Sequence, residues 1–342
     1  MKILIQNDGL HAHYYQRVAL GNGLQSLGHD VAMWDTSKSG SSAFDIFHSY
    51  EPDLFLGQSY NLTPAIVKCI KHRPHLKVGL RVGDFKNDNP HILSIERKEK
   101  ETLLELQEST GQVKFVHIHY TPEGVEQTHS EYKQYGLNPV SLMMSADIHS
   151  YYHSKYDKAL WCDIGFVGGL WDYKAQVIKP YLFPLLEDNQ FKAKIFGNQP
   201  WYGVSQYCGL ISDDRVKDLF ASAGVCPNLS EPHAQEFGFD VNERIFKILC
   251  AGGFCLSDNV EGYKMFGDGI AIADSPKDFH EKMEYYTRDS SGIVENDIRS
   301  RMGHEFVMKN HTNIHRAAEV LSHFGLTVPS DLDKVIKGVI GE

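Results

Sequence analysis

Asn242-Glu243-Arg244-Ile245-Phe246-Lys247-Ile248-Leu249-Cys250-Ala251-Gly252-Gly253-Phe254-Cys255-Leu256-Ser257-Asp258 reads as a short helix, a glycine stop and a buried strand. Asp240 is positioned to cap the helix, with Glu243 three residues on completing a capping box. Gly252 and Gly253 suit the left-handed turn that ends it, and Phe254, Cys255 and Leu256 form a brief apolar run. The amino end of such a helix carries unpaired N–H groups and positive dipole, which makes it the candidate phosphate end of a site.

Working outward, the same alternation recurs on both sides. Upstream lie a strand at 163–167 followed by Gly168-Gly169, a helix around 173–186, a strand at 191–196, a helix at 214–221 and a strand at 224–228. Downstream are a strand at 270–273 and two helices. The second of these follows His311-Thr312, carries Ile314, Ala317, Leu321 and Phe324 on one face, and stops at Gly325. The first half repeats the pattern, with strands at 2–6, 31–34, 53–57, 77–82, 114–119 and 140–144. Helices separate these after residue 13, at 63–71, around 95–106 and around 123–135. Strands alternating with helices predict parallel sheets, and 342 residues exceed what one core usually serves.

The expected architecture is therefore α/β, with two Rossmann-like domains whose parallel sheets face a central cleft. The expected boundaries are 1–148 for the first domain, 149–161 for a linker and 162–325 for the second domain. A closing amphipathic helix at 326–342 puts Leu332, Val335, Ile336, Val339 and Ile340 inward and is expected to cross back toward the first domain.

Composition narrows the function. Lys and Arg number 34 against 44 Asp and Glu, a formal charge of -10, which argues against a general nucleic-acid footprint. Six scattered cysteines without Cys-x-x-Cys spacing predict reduced core thiols and a cytoplasmic protein. The first residues turn polar too soon for a signal peptide, and no apolar run is long enough to span a bilayer, so any membrane association is expected to be peripheral.

The ordered set of Asn242-Glu243-Arg244-Ile245-Phe246-Lys247-Ile248-Leu249-Cys250-Ala251-Gly252-Gly253, then Phe266-Gly267-Asp268-Gly269, then His311-Thr312 with His315-Arg316 resembles the carboxyl half of the spore maturation protein CgeB-like glycosyltransferases, which are GT-B enzymes. The likeness covers roughly residues 160 to 325. It implies a nucleotide-sugar donor held by the second domain, an acceptor held by the first, and transfer without an obligatory metal or other cofactor. In this family's helix the residue corresponding to Lys247 is usually Glu, which in related GT-B enzymes contacts the donor ribose. A carboxylate accepts hydrogen bonds from both ribose hydroxyls, whereas an ammonium only donates. Ribose binding then differs, the donor differs, or activity is absent.

On the donor side the candidates are Asn242, Glu243, Arg244 and Lys247, with Gly168, Gly169, Lys174, Asn198 and Asn228 at neighbouring strand ends. Arg244 offers two parallel donors to phosphate oxygens. Lys247 lies four residues after Glu243, so a surface ion pair is as good a reading as a ligand contact. Lys174 is equally an exposed lysine of an ordinary turn, and Asn198 and Asn228 are equally turn residues. On the acceptor side His11 and His13 follow the first strand and Asp84 the fourth. Each is a candidate base, or, respectively, a surface histidine and a turn cap. His119 is a third kind of candidate, able to orient the acceptor. Asp331-Leu332-Asp333 has the form of a metal motif, but helix capping explains it, and no spacing suggests zinc.

The expected activity is transfer of a sugar from a nucleotide diphosphate sugar to a hydroxyl of a glycan, lipid-linked or protein acceptor. A non-catalytic nucleotide-sugar-binding protein of the same frame, and a nucleotide-sugar epimerase, are the alternatives.

Overall fold

The computed structural model describes residues 1–7, 11–36, 42–83, 90–187 and 190–342, with side chains for all of these except 11–13 and 90–98. The chain forms two compact units, Met1–Met143 with Asn313–Glu342, and Met144–Thr312.

The first unit begins with β1 (Lys2–Asn7), α1 (His11–Ser26), β2 (Asp30–Asp35), α2 (Ala43–Tyr50), β3 (Leu54–Gln58) and α3 (Pro64–Lys71). It continues through β4 (Lys77–Arg81), α4 (Pro90–Thr110), β5 (Val113–Ile118), α5 (Pro122–His129) and β6 (Pro139–Ser141). The six strands pair in parallel in the order β2-β1-β3-β4-β5-β6. Every residue of β3 is buried, as are five of the six in β1, the near-continuous apolar reading expected of strands covered on both faces.

The second unit runs through α6 (Ile148–Tyr151), β7 (Cys162–Val167), α7 (Asp172–Glu187), β8 (Ala193–Phe196), α8 (Asp213–Ser222) and β9 (Ala223–Asn228). Then come α9 (Pro232–Phe237), α10 (Glu243–Cys250), β10 (Cys255–Asp258), β11 (Ala271–Ala273), α11 (Pro276–Arg288) and α12 (Ser290–Asn310). Its five strands are also parallel, in the order β11-β10-β9-β7-β8. In both sheets the chain turns in opposite directions from its first strand, so a switch point lies between β1 and β3 and another between β7 and β9.

The expected division of the chain needs correcting in two places. Residues 149–161 do not form a free linker, because they pack on the second unit. Ser154 Oγ donates to Asp218, Asp157 N donates to Ser222 Oγ at 2.8 Å, and Arg215 pairs with Asp157. The second unit also ends at Thr312 rather than 325. The remaining helices, α13 (Asn313–His323) and α14 (Leu332–Ile340), belong to the first unit. The apolar face of α13 had to be covered by something, and Ala317, Val320, Leu321 and Phe324 close the core made by Ile3, Ile5, Leu24, Leu54, Leu56 and Phe115. In α14, Ile336 is buried and Asp331 caps the helix by accepting from Lys334 N at 3.0 Å. Helix α2 has no counterpart in the sequence reading, although Ser42 and Asp45 form a complete capping box.

Close approach of α13 to α1 depends on Gly23. A Cβ there would collide with the Asn313 carbonyl and meet Ala317 Cβ at 3.1 Å, and Asn313 Nδ2 donates to Ala19 O at 2.8 Å beside it. Gly23→Ala is expected to destabilise the fold by about 1–3 kcal/mol through overpacking, read as a lowered melting temperature. Gly338 in α14 has open space around it, and Gly338→Ala is expected to melt no lower than the parent.

Among the described residues no helix is long and apolar enough to cross a membrane. The six cysteines are unbridged, five buried and Cys208 exposed.

Candidate functional site

Helix α10 buries Ile245, Phe246, Ile248, Leu249 and Cys250, which holds its amino end at the carboxyl edge of the second sheet. Its N-cap is Asn242, whose side chain makes no capping bond. The expected cap, Asp240, instead faces His233, with Oδ2 3.3 Å from Nε2. A helix start without a side-chain cap keeps its first N–H groups for solvent or ligand. The stop is divided between the two glycines. Gly252 takes the left-handed turn at φ 82°, whereas Gly253 is required for space, since a Cβ there would lie 2.5 Å from Phe220 O.

Arg244 spans the switch point. Its Nε donates to Val167 O at the end of β7 (3.1 Å) and its Nη1 to Leu229 O just beyond β9 (3.3 Å), and the guanidinium lies over the Phe166 ring at 4.7 Å. The third nitrogen, Nη2, is 3.0 Å from where a Cβ of Gly168 would stand, so the glycine admits the guanidinium. Beside it Lys174, from the first turn of α7, places Nζ 3.9 Å from Glu231 and 5.0 Å above the Trp171 ring. Burial, then the neighbouring Arg244, pull the Lys174 ammonium from 10.5 down to about 7, against the opposing pull of Glu231 and Asp258. Two cations thus crowd one strand edge, an arrangement that an anion relieves.

The turns after β7 and β8 meet above them. Gly197 abuts the Gly168 carbonyl so closely that any Cβ would collide with it, and Trp201 Nε1 donates to the same carbonyl at 3.0 Å. Asn198 is exposed, with Oδ1 facing Gly169, and the indole of Trp171 borders the same glycine. Gly168, Gly169, Lys174, Asn198 and Arg244 are therefore brought together.

Asn228 is not with them. It is wholly buried and turned inward, donating to Ser257 Oγ at 2.9 Å. The residue that organises this edge is Asp258, at the end of β10. Its carboxylate accepts from Ser230 N and Ser230 Oγ (both 3.0 Å), Gln235 Nε2 (2.6 Å) and Ser257 Oγ (3.3 Å). Burial raises its pKa and those donors oppose the rise. Tyr263 extends the network, its hydroxyl 2.9 Å from Ser230 Oγ and accepting from Asn242 Nδ2 at 2.8 Å. Sequence reasoning missed Asp258, Ser230, Gln235, Tyr263 and Glu231. The available signal was a polar Ser-Asp pair ending an otherwise apolar strand.

Solved structures that match this chain along nearly its whole length include the following three. An alpha-glucosyltransferase in complex with UDP and a 13-mer DNA is 13% identical, with a TM-score of 0.64 over 95% of this chain and 99% of that one. Sucrose-phosphate synthase from Thermosynechococcus elongatus is 9% identical, with a TM-score of 0.67 over 95% and 98%. An alpha,alpha-trehalose-phosphate synthase (UDP-forming) from Burkholderia vietnamiensis is 10% identical, with a TM-score of 0.58 over 95% and 100%. The fold is GT-B. The family model described as Glycosyl transferase-like matches residues 180–322, which include Asp258 and all of α10. No curated protein matches the sequence.

Within this GT-B chain Lys247 is committed to the protein. Its Nζ pairs with Glu243 Oε1 at 2.9 Å and lies 4.9 Å above the Tyr151 ring, with both side chains of the ion pair largely buried. Burial opposes the charge, but Glu243 and Tyr151 outweigh it and hold the ammonium above its ordinary range. The pair expected on the surface is thus an interior one, and Glu243 is engaged with it.

In the first GT-B unit His11 and His13 stand in the opening turn of α1 rather than in a loop, and their side chains lie outside the described residues. Asp84 also lies outside them. His119 is nine-tenths buried just past β5, with Nδ1 3.4 Å from Arg81 Nη2. Among the described residues no three His, Cys, Asp or Glu side chains group as a metal site.

Proposed function

We propose that this protein is a CgeB-like glycosyltransferase that moves a hexosyl group from a nucleotide diphosphate sugar to a hydroxyl of a glycan, lipid-linked or protein acceptor. The setting proposed is cytoplasmic polysaccharide biosynthesis, with no resident metal or other cofactor. The observation that carries the reading is Arg244 bridging the ends of β7 and β9 with Lys174 beside it, at the switch point where open α/β sheets bind ligands. A sugar leaving a diphosphate builds negative charge on the phosphate oxygens. The guanidinium, the ammonium and the first amides of α10 are fixed in advance to receive it. His11, His13 or Asp84 takes the acceptor proton if the reaction inverts, with His119 orienting the acceptor; in a retaining reaction the leaving phosphate takes it. UDP and UDP-sugar chemistry in the printed names of the structural neighbours supports a uridine donor.

The test is release of free nucleotide from a panel of nucleotide sugars. Turnover with one of them is expected, and binding without turnover for any would sink the enzyme reading. One observation favours that second outcome: Lys247 stands where the resemblance implies a ribose-accepting carboxylate, and it is locked to Glu243 and Tyr151.

Lys174 supplies a pH signature. Free, its ammonium titrates at about 7; a bound diphosphate favours the charged form and raises that value. Between pH 7 and the raised value binding takes up a proton, so affinity for UDP is expected to fall by up to about tenfold per pH unit on going upward. Calorimetry in buffers of different ionisation enthalpy reads the proton uptake, which Lys174→Gln should abolish.

A further inference from the structure

Helix α12 inverts the arrangement expected of a surface helix, which keeps its apolar side chains for the core and its polar ones for water. The residues it buries are mostly small, Gly292, Ser300 and Gly303 with Val307. Close packing requires them to be small. A Cβ on Gly303 would collide with the Gly269 carbonyl, and one on Gly292 with the Tyr285 carbonyl. The large apolar residues point the other way: Ile293, Val294, Ile298 and Met302 are 51%, 61%, 46% and 43% exposed. Packing within the second unit therefore leaves much of each in water.

Val294, Ile298 and Met302 follow one another at four-residue steps, so they form a single row along the helix. Charged pairs border the row on both sides. Asp297 pairs with Arg301 at 2.8 Å on one flank, and Glu295 with Arg299 at 2.6 Å on the other. In each pair the acid precedes the base by one helical turn, and that order makes the face complementary to itself in one orientation. With a second copy laid antiparallel and Ile298 on the twofold axis, Val294 meets the copy's Met302. Arg301 then comes beside the copy's Asp297, and Arg299 beside the copy's Glu295. A parallel copy in register instead sets acid on acid and base on base, which is unfavourable. Each acid of the border is matched by a base, so it lacks the positive excess that draws an amphipathic helix to an anionic lipid surface.

We propose that the outer face of α12 is a self-association surface, through which two copies of this chain pair as an antiparallel dimer about Ile298. A row of three apolar side chains with its charged border is far fewer than the about 20 residues a side of a standard interface, so the dimer is weak and reversible. It stands whether or not the protein transfers a sugar.

Sedimentation equilibrium of the full chain tests it, from about 5 to about 500 µM protein in ~0.15 M salt, which screens the net charge of -10. A rise from the mass of one chain toward that of two is expected across the range. Ile298→Glu sets two carboxylates on the axis and should weaken association by about thirtyfold or more. The melting temperature of the dilute variant should match the parent's, because Ile298 is not a core residue. Asp297→Arg and Arg301→Asp should each weaken self-association, and an equimolar mixture of these two variants should associate more tightly than either alone. Orientation is read by disulfide trapping in air, with the exposed Cys208 replaced by Ser. Val294→Cys mixed with Met302→Cys should cross-link faster than either variant alone. A parent chain monomeric throughout the range, association unchanged in Ile298→Glu, or fastest cross-linking by Val294→Cys alone would each overturn the proposal.

Discussion

Arg244→Gln is expected to lower nucleotide-sugar turnover by roughly two to three orders of magnitude, the usual loss when one preorganised donor to a developing oxyanion is removed. The guanidinium is held by two main-chain carbonyls from separate strand ends, Val167 O and Leu229 O, and by the face of Phe166. Those contacts use Nε and Nη1 and leave it oriented before any ligand arrives, so its stabilisation of charge requires no reorganisation during reaction. Gln is chosen because its carboxamide can still donate to one of the carbonyls, which limits the folding penalty to about 1–3 kcal/mol for the acceptor left unpaired. Arg244→Lys keeps the charge but satisfies the carbonyls less well, and should retain intermediate turnover with weaker donor binding. Steady-state nucleotide release separates the two, with a melting curve to establish folding. Unchanged turnover in a folded Arg244→Gln protein would remove the residue from the site.

Lys247→Glu has the largest expected effect on stability. The substitution restores the residue implied by the resemblance, and the sequence alone leaves open whether activity rises or falls. The structure points to a loss of stability. Lys247 is paired with Glu243 in a largely buried setting against Tyr151, so a carboxylate at 247 faces a second carboxylate one helical turn away. Breaking a buried pair by removing one partner costs about 3–5 kcal/mol. At roughly 2–4 °C per kcal/mol for a chain of this size, the melting temperature should fall by roughly 10 °C. The exchange Glu243→Lys with Lys247→Glu rebuilds the pair and should recover most of the loss. It should not recover all of it, because a lysine in the first turn opposes the helix dipole and the reversed order is the weaker one. A single Lys247→Glu protein that melts with the parent would show that the pair contributes nothing.

The resemblance and the geometry differ in what they say about this position. The pattern around Arg244 was legible because a helix start, an apolar face and a glycine stop are local features, set by residues within one or two turns. What Lys247 touches was half legible: Glu243 is four residues away, whereas Tyr151 comes from a segment that read as a linker. A short run rich in Tyr, Ser and His has no apolar period of its own, so its packing against α8 and α10 left no trace in the local pattern.

The strand–helix alternation, the parallel sheets and the two-part construction of this chain were settled by sequence alone, because burial on both faces demands apolar runs and crossover helices demand a 3.6-residue period. The sequence also showed that the helix after Thr312 carries an apolar face in need of cover. It did not show which core provides that cover, since hydrophobic burial is non-directional and the partners Leu24, Leu54 and Phe115 lie hundreds of residues away along the chain. The candidate site follows the same division. Arg244 and Lys174 were visible as cations near strand ends, but their convergence on one switch point and the carboxylate of Asp258 that ties down the adjoining turn are properties of strand order. Strand order is decided only when the sheets assemble, because residues distant in sequence become neighbours there through backbone pairing that carries no side-chain signature.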